Sequence, residues 1–157
     1  KAKALGMSVT AFDPFVPAEK MVADGVEAAR SLEQMYSSCD FVSLHIPATL
    51  QTTASIDASL VGRMPNGGCL VNTARREVID EDSLLELFKL RGDLKYVADV
   101  APSAAEEFSA ALGKRYFATP KKMGAETAEA NVNAGLAAAR QIVAYFATGC
   151  EKYRLNG

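Results

Sequence analysis

Residues whose side chains can bind ligands or move protons follow the ends of several short apolar runs. They are Asp13, His45, Asn72, Arg75, Asp99, Lys121 and Lys122. Carboxylates accept hydrogen bonds from hydroxyl groups, a guanidinium binds an anion through paired hydrogen bonds, and a lysine with a lowered pKa accepts a proton. One such residue at the end of a strand is usually a turn former or a helix cap. Their recurrence at comparable positions instead indicates a ligand site.

The apolar runs that precede these residues have the pattern of strands buried on both faces. They cover residues 7–12, 41–46, 68–74, 94–100 and 115–119. Short and nearly continuous apolar runs are typical of a parallel sheet that is covered by helices. Amphipathic patterns between the runs predict helices over residues 31–38, 55–63 and 80–92, capped by Asp80 and ended by Gly92, and a last helix over residues 127–148.

Strands that alternate with helices predict an α/β fold, specifically a Rossmann-type, doubly wound parallel sheet with right-handed crossovers. Ligands of such sheets bind beyond the carboxyl ends of the strands, where the residues named above lie. Asp13 ends the first run, and a carboxylate there can accept both hydroxyls of an adenosine ribose while it repels a 2′-phosphate. This favours NAD over NADP as the cofactor. The alternative for Asp13 is a turn that it begins with Pro14.

The start of the chain, "KAKALG", reads as the end of a helix that is already under way. In a dinucleotide-binding fold a glycine-rich loop should precede that helix, and the sequence before Asp13 has none. We therefore expect the chain to be a fragment that lacks the first strand and the glycine-rich loop.

Size and composition fit a single globular domain. The chain has 157 residues and a formal net charge of −2, so no positive field attracts nucleic acid or an anionic membrane. No apolar run approaches the ~18 residues that a membrane span requires. Cys39, Cys69 and Cys150 lack the spacing of a metal site, which predicts no bound metal and reduced thiols in the cytoplasm, used as small buried apolar side chains.

Four motifs occur together in one order: "CDFVSLHIPATLQT", "CLVNTARREVIDEDSL", "ADV" and "TPKKMGAETAEAN". They resemble the NAD-binding domain of the D-isomer-specific 2-hydroxyacid dehydrogenases, over about residues 2–133. The resemblance implies an NAD-dependent enzyme that transfers hydride from a D-2-hydroxy acid. It also implies that residues 1–149 form the dinucleotide-binding domain and that residues 150–157 lead toward a missing substrate domain, without which the fragment would not turn over substrate.

The resemblance assigns a catalytic role to Arg75. The family pattern is Asn, two residues, Arg and then Gly, which Asn72 and Arg75 match, whereas Arg76 replaces the glycine. A guanidinium at this position would bind the substrate carboxylate through two parallel bonds and polarise the neighbouring carbonyl. Arg76 is expected at the surface, or as a helper for an anionic substrate. It also raises a question about the local backbone, because glycine adopts angles that arginine resists.

The general base is expected to be a lysine. Most members of the family use a histidine to take the hydroxyl proton, and "TPKKMGA" has lysines in its place. Counting back from Gly124 selects Lys122, whereas counting forward from Thr119 selects Lys121, and we prefer Lys122. Burial or a nearby cation such as Arg75 would lower the pKa of this lysine and make it a base.

The resemblance also implies positions that contact the cofactor: Asp13, His45, Pro47, Thr52, Thr73, Ala74, Arg75, Asp99 and Gly124. Asp99 is expected against the nicotinamide carboxamide, with a helix or turn cap as the alternative. His45 is expected to line the cofactor, and a buried structural histidine is an equally good account.

Within the family, the resemblance implies oxidation of D-3-phosphoglycerate to 3-phosphohydroxypyruvate, the first step of serine biosynthesis. Reduction of glyoxylate or hydroxypyruvate would use the same arginine and hydride geometry and stays open. A non-catalytic NAD-sensing scaffold is an alternative of another class, because the glutamate that orients the family's histidine is displaced. Ala104 holds its place, and Glu106 and Glu107 follow. The presence of Arg75 and Asp99 favours the enzyme.

The last predicted helix contains "NAGLAAARQIVAYF", whose alanines allow close packing, and carries Val132, Leu136, Val143 and Phe146 on one side. The resemblance implies a homodimer that forms through this domain. Packing of the helix against its own sheet is the alternative.

Overall fold

The structure is a computed structural model that describes residues 1–120 and 127–154. The chain divides into two units, Lys1–Lys121 and Lys122–Gly157. Three of the predicted site residues, Lys121, Lys122 and Gly124, lie outside the described residues.

Parallel strands organise the first unit. They are β1 (Thr10–Ala11), β2 (Glu27–Ala28), β3 (Phe41–Leu44), β4 (Cys69–Asn72), β5 (Lys95–Ala98) and β6 (Tyr116–Ala118). Strand β1 pairs with β2, and the other four strands form a second parallel sheet in the order β3-β4-β5-β6. The predicted α/β class with a parallel sheet is confirmed.

The described helices of the first unit lie between these strands. They are α1 (Ala18–Ala23), α2 (Leu32–Ser38), α3 (Ala58–Val61), α4 (Glu81–Leu90) and α5 (Ala105–Leu112). Side-chain oxygens of Ser31, Asp57 and Asp80 cap α2, α3 and α4 by accepting the backbone N–H three residues later. These caps place the starts of α2 and α4 where the sequence patterns predict them.

Strand β2 and helices α1 and α5 are elements that the sequence patterns do not predict. Strand β2 has only two residues, and β1 is accordingly limited to Thr10–Ala11, although residues 7–12 read as one strand. Helix α5 begins after Ala104, which offers no capping side chain. Its buried residues, Phe108 and Leu112, are separated by a single helical turn, which is too little for a recognisable period.

The predicted end of α4 at Gly92 is confirmed in position. The last helical residue is Leu90, Arg91 is the C-cap, and Gly92 follows it without the positive φ of a left-handed cap. The guanidinium of Arg91 binds both carboxylate oxygens of Asp93 and two carbonyl oxygens of the segment before β4. These bonds hold the chain where it leaves the helix.

One face of the four-stranded sheet carries the hydrophobic core. In β3, Val42 and Leu44 are buried while Phe41 is 59% exposed, as alternation along a strand requires. The buried face packs against residues of α2–α5 and contains a group of aromatic rings 5.5–6.1 Å apart, Phe88, Tyr96, Phe108 and Tyr116. This packing holds α4 and α5 against the sheet and so positions the loops at the strand ends.

The second unit contains helix α6 (Ala128–Thr148). Thr127 caps its start through the N–H of Ala130, and Gly149 ends it with a left-handed φ of 68°, which confirms the predicted helix over residues 127–148. Its large apolar side chains are exposed, from 49% at Leu136 to 82% at Phe146. Among the described helices, none is long and apolar enough to cross a membrane.

The three cysteines are free thiols in different environments. Cys69 is buried in β4, as predicted, and Cys39 is half-buried. The prediction of a buried side chain is wrong for Cys150, which is exposed because it follows the glycine that ends α6.

Candidate active site

Hydrogen bonds join the carboxyl ends of β3, β4, β5 and β6 at one edge of the sheet. Thr73 Oγ1 donates to the carbonyl of Leu44 at 3.3 Å, which links the end of β4 to the end of β3. The N–H of Asp99 donates to the carbonyl of Asn72 at 2.9 Å, and the hydroxyl of Thr119 donates to the carbonyl of Asp99. The residues that follow these four strands therefore share the edge at which parallel sheets bind ligands.

A buried asparagine shapes the turn after β4. Asn72 is 3% exposed, its Nδ2 donates to the carbonyl of Arg75 at 2.9 Å, and its Oδ1 accepts the N–H of Ala74 at 3.0 Å. A buried amide is stable where both its donor and its acceptor find partners, as they do here. Asn72 therefore determines where the backbone of Arg75 leaves the sheet.

Tyr96 of β5 lies beside this amide beneath the site. Burial raises the pKa of Tyr96 above its usual value, and the hydrogen bond with the Asn72 side chain offsets only part of that rise. The tyrosine is therefore a neutral hydroxyl at physiological pH, which supports the asparagine without adding charge under the site.

The guanidinium of Arg75 is exposed at this edge of the sheet. Its Nη1 donates to the carbonyl of Ala74 at 2.9 Å, which draws the side chain back along its own backbone. A guanidinium carries five N–H donors in a planar fork, so one bond to a carbonyl leaves further donors for an anion.

The backbone at Arg76 does not need a glycine. Arg76 begins the short 3-10 helix Arg76–Val78, and among the described residues Ala54 is the non-glycine with positive φ. The Nε of Arg76 lies 3.9 Å from the carboxylate of Glu77, on a surface depression that Asp80 and Glu81 also line. These acidic neighbours favour the surface role for Arg76 over the role as helper for an anionic substrate.

Thr52 organises the loop between β3 and α3. Its hydroxyl donates to the carbonyl of Pro47 and accepts from both the N–H and the hydroxyl of Thr49, at 2.8 and 3.0 Å. One donor and two acceptor sites are all that a threonine hydroxyl has. The hydroxyl of Thr52 is therefore saturated within the loop, and its N–H and carbonyl are also bonded to Thr49 and Ser55, which leaves its methyl group for the predicted cofactor contact.

His45 is exposed just beyond the end of β3. Its Nε2 lies 3.0 Å from the hydroxyl of Ser43, and both residues belong to the exposed side of the strand. The alternative of a buried structural histidine is wrong, because alternation along β3 directs Val42 and Leu44 into the core and His45 away from it.

Asp13 is exposed two residues after β1, the first strand of the two-stranded sheet. Its Oδ1 accepts the N–H of Phe15 at 2.8 Å, which is the bond of a side-chain-stabilised turn. The structure thus gives Asp13 the turn that the sequence offers as the alternative. Turn formation occupies one carboxylate oxygen and is compatible with a ribose contact through the other.

Asp99 is half-buried where β5 ends. Its backbone binds Asn72 on one side and Thr119 on the other, so it is fixed between β4 and β6. The alternative of a helix cap is wrong, because α5 has its N-cap at Ala104 and the N–H groups of Ser103 and Ala104 are accepted by Glu81.

Glu81 connects α4 to the start of α5, a role that the sequence patterns do not predict. Its Oε1 and Oε2 accept the N–H groups of Ser103 and Ala104 at 2.9 and 3.0 Å. The available signal was the missing N-cap of α5, since an uncapped helix start needs acceptors from another part of the chain. The carboxylates of Glu106 and Glu107 are exposed in the first turn of that helix.

Comparison with protein families identifies the class of this domain. Residues 1–120 match the family described as "D-isomer specific 2-hydroxyacid dehydrogenase, NAD binding domain". The predicted cofactor class, NAD, and the predicted Rossmann-type fold are confirmed by this match and by the solved structures that resemble the chain.

Individual relatives align with most or nearly all of this chain at 32–40% sequence identity. The D-3-phosphoglycerate dehydrogenase of Haemophilus influenzae is 34% identical over 99% of this chain and 38% of its own length. The hydroxypyruvate reductase of Thermotoga maritima is 32% identical over 87% of this chain and 44% of its own length. The crystal structure of NAD+-bound 3-phosphoglycerate dehydrogenase from Entamoeba histolytica has a TM-score of 0.85 and 40% identity, over 99% of this chain and 49% of that one. The chain thus spans less than half the length of these relatives.

Proposed function

Since this chain belongs to the D-isomer-specific 2-hydroxyacid dehydrogenase family, we propose that the protein containing it oxidises a D-2-hydroxy acid and transfers the hydride to NAD. When bound, the nicotinamide supplies the hydride acceptor, and the protein supplies binding, orientation and proton transfer.

The observation that carries this proposal is the shared anchoring of Arg75 and Asp99 by Asn72. Asn72 holds the carbonyl of Arg75 with its side chain and the N–H of Asp99 with its own carbonyl. A guanidinium and a carboxylate are thereby held at neighbouring strand ends. In the proposed reaction Arg75 binds the carboxylate of the hydroxy acid through two parallel bonds, and Asp99 accepts a hydrogen bond from the nicotinamide carboxamide.

The donor and acceptor groups at the strand ends fit the parts of NAD. The exposed carboxylate of Asp13 matches the hydroxyls of the adenosine ribose. We assign the remaining contacts to residues at the ends of β3 and β4 and to the glycine beyond β6, namely His45, Pro47, Thr52, Thr73, Ala74 and Gly124.

We assign the role of general base, which accepts the hydroxyl proton of the substrate, to Lys122, with Lys121 as the alternative. As the C–H bond breaks, its electron pair leaves as hydride, the hydroxyl proton passes to the neutral Nζ, and a carbonyl remains. A lysine with the usual pKa of ~10.4 is protonated at neutral pH, so this role requires burial or a nearby cation such as Arg75. Turnover that is unchanged in both Lys121→Ala and Lys122→Ala would remove the role.

The substrate we propose is D-3-phosphoglycerate, which makes the reaction the first step of serine biosynthesis. Support comes from the names of relatives that share this chain at 34% and 40% identity. Hydroxypyruvate or glyoxylate reduction is the second candidate, because a hydroxypyruvate reductase is 32% identical over 87% of the chain.

The proposal is tested with the natural full-length protein by following NADH absorbance. D-3-phosphoglycerate is expected to give the highest kcat/KM in a panel with D-glycerate, D-lactate and, in the reverse direction, hydroxypyruvate and glyoxylate. Preference for the last two would select the reductase. NADH binding without turnover of any member of the panel would contradict the dehydrogenase and favour a scaffold that senses NAD.

Arg75→Lys is expected to lower kcat/KM about 100-fold or more, because lysine cannot reproduce the bidentate bond that stabilises charge on the substrate. The affinity for NADH should change much less, since lysine keeps a positive charge beside the cofactor and the bidentate bond that is lost is with the hydroxy acid. Arg76→Lys is the matched control and should behave as the wild type. A loss of activity in Arg76→Lys with none in Arg75→Lys would reverse the assignment.

We also propose how this domain is placed within the whole protein and how that protein assembles. Residues 1–149 would bind the dinucleotide, and residues 150–157 would lead into a substrate domain. The protein would be a cytoplasmic homodimer, with α6 at the interface between its copies.

A further inference from the structure

A side chain of another helix accepts the N–H of Ala104, the N-cap of α5, and the N–H of Ser103 before it. Ala104 stands at its N-cap and has no side chain that can accept a hydrogen bond. Glu107 occupies the position from which a glutamate returns to the N-cap N–H in a capping box. That N–H is bound by Oε2 of Glu81 instead, and the N–H of Ser103 is bound by Oε1.

Glu81 serves α5 because its own helix does not need it as a cap. Asp80 precedes it and accepts the N–H of Ser83 at 3.1 Å, which caps α4. The carboxylate of Glu81 can therefore turn toward α5 and bind two backbone N–H groups that lie 22 and 23 residues further along the chain. Hydrogen bonds to a carboxylate are among the stronger ones in proteins.

The segment that Glu81 holds begins at Asp99. Its start is fixed by the N–H of Asp99 on Asn72 and by the hydroxyl of Thr119 on the carbonyl of Asp99. Its middle is held by the N–H of Ala101 on the carbonyl of Thr119, and its end by the packing of Ala104 against the core and by the two hydrogen bonds to Glu81. Removing Glu81 would therefore remove the hydrogen bonds that orient this end of the loop and leave the packing of Ala104.

Glu81 itself begins α4, the helix that follows the segment carrying Arg75. The carbonyl of Arg75 is held by Asn72, and the carbonyls of Glu77 and Val78 accept the N–H groups of Ala54 and Ile56. Helix α4 follows that segment directly. Glu81 thus joins the anchored Arg75 segment to the far end of the Asp99 loop.

We propose that Glu81 is a positioning residue, which sets the Asp99 loop against the Arg75 segment and thereby places the nicotinamide for hydride transfer. This inference rests on the proposed function, in which Asp99 faces the nicotinamide carboxamide. Glu81 touches neither the cofactor nor the substrate, and it acts through the backbone of Ser103 and Ala104.

The test measures NADH affinity by fluorescence titration of the natural full-length protein and its Glu81→Gln and Glu81→Ala variants. The Kd is expected to rise about tenfold in Glu81→Ala, equivalent to about 1.4 kcal/mol. Glu81→Gln keeps one acceptor oxygen and should lie between Glu81→Ala and the wild type. A residue that contributed only to stability would lower the melting temperature or the number of binding sites and leave the Kd of the folded fraction unchanged.

Asp82→Asn is the matched control, because Asp82 is an exposed carboxylate in the same first turn of α4. Its NADH affinity should equal that of the wild type. Amide hydrogen exchange at Ser103 and Ala104 should accelerate in both Glu81 variants and not in Asp82→Asn.

Accelerated exchange together with a wild-type Kd would overturn the positioning role, and so would exchange that does not change. These outcomes are separate from the failure of the proposed function. A protein that binds NADH but turns over no hydroxy acid would disprove the dehydrogenase, while the Kd series would still report on Glu81.

Discussion

At the scale of single residues, the buried Asn72 makes the hydrogen bonds that shape the turn leading to Arg75. It is buried, and its amide binds one donor and one acceptor in the turn that leads to Arg75. Its main-chain carbonyl also receives the N–H of Asp99. The side chain of Asn72 thus shapes the turn that carries Arg75, and its main-chain carbonyl holds the backbone of Asp99.

Asn72→Ala is expected to destabilise the protein by roughly 2–4 kcal/mol, because it leaves a buried N–H and a buried carbonyl without partners. Asn72→Asp keeps the acceptor for Ala74 but loses the donor to Arg75 and buries a charge, so it should be at least as damaging. Both variants should lower kcat/KM. Urea unfolding and steady-state kinetics measure the two effects.

Asn66→Ala provides the comparison for Asn72, since Asn66 is exposed near the opposite end of β4. It should leave the activity unchanged. A stable and fully active Asn72→Ala protein would show that the turn after β4 keeps its shape without the amide.

Single residues also show how far the sequence can specify a site. Arg75 and Asp99 follow strand ends, so their common edge is predictable from chain order in a parallel sheet. The part played by Glu81 is not predictable in this way, because its partners are backbone groups more than twenty residues away. The saturated hydroxyl of Thr52 depends likewise on the folded shape of its loop.

At the scale of elements, the turn that enters β4 is fastened to the turn that enters β5. Arg91 binds both carboxylate oxygens of Asp93, and its guanidinium also reaches the carbonyls of Gly62 and Met64. Asp93 in turn accepts the N–H of Gly67 at 2.9 Å. These bonds lie at the amino ends of the strands, away from the proposed site, and their role is to keep neighbouring strands in register.

The Arg91–Asp93 pair makes stability sensitive to acid. The hydrogen bonds from Arg91, and next the bond from the N–H of Gly67, hold the pKa of Asp93 well below its usual range. The ionised carboxylate is favoured in the folded state, so its contribution is complete above the unfolded pKa of about 3.9 and is lost as pH falls toward the lower folded pKa.

Asp93→Asn should therefore flatten the acid side of a plot of unfolding free energy against pH and leave its slope near neutral pH unchanged. Urea unfolding at a series of pH values checks this. Asp40→Asn, at an exposed carboxylate before β3, should retain the acid slope of the wild type. An equal slope in wild type and Asp93→Asn would mean that other carboxylates control acid unfolding.

Elements with strong local signals are the ones that sequence patterns predict well. Helices α2, α4 and α6 have capping side chains, and the four strands of the larger sheet are nearly continuous apolar runs. The pattern fails for β2, which is too short to have a period, and for α5, which begins at an alanine. At Gly92 the pattern predicts the end of α4 but not the hydrogen bonds of Arg91, which depend on carbonyl groups of a distant turn.

At the scale of the whole molecule, α6 exposes several large apolar side chains. Val132, Leu136, Ile142, Val143 and Phe146 are between 49% and 82% exposed. Exposed apolar surface on this scale usually marks a protein interface. It supports the proposal that α6 lies at the interface of a homodimer.

A charge on α6 is expected to weaken that dimer. The natural full-length protein should sediment as a dimer, and Val143→Glu should shift it toward monomer, because it would place an unpaired carboxylate in an apolar interface. Gln141→Glu introduces the same charge at an exposed polar position of the helix. A wild-type protein that is monomeric at every concentration tested would disprove the homodimer.

Asn72 makes hydrogen bonds both through its side chain and through its main chain, and this has a consequence for how such a domain can evolve. A substitution there would remove the side-chain bonds that shape the turn at Arg75, whereas the main-chain bond to Asp99 would remain. Arg76, whose exposed side chain lies beside Glu77, can change without removing any of these bonds. Substitutions at the exposed border of this turn should therefore be tolerated more readily than substitutions at the buried amide of Asn72.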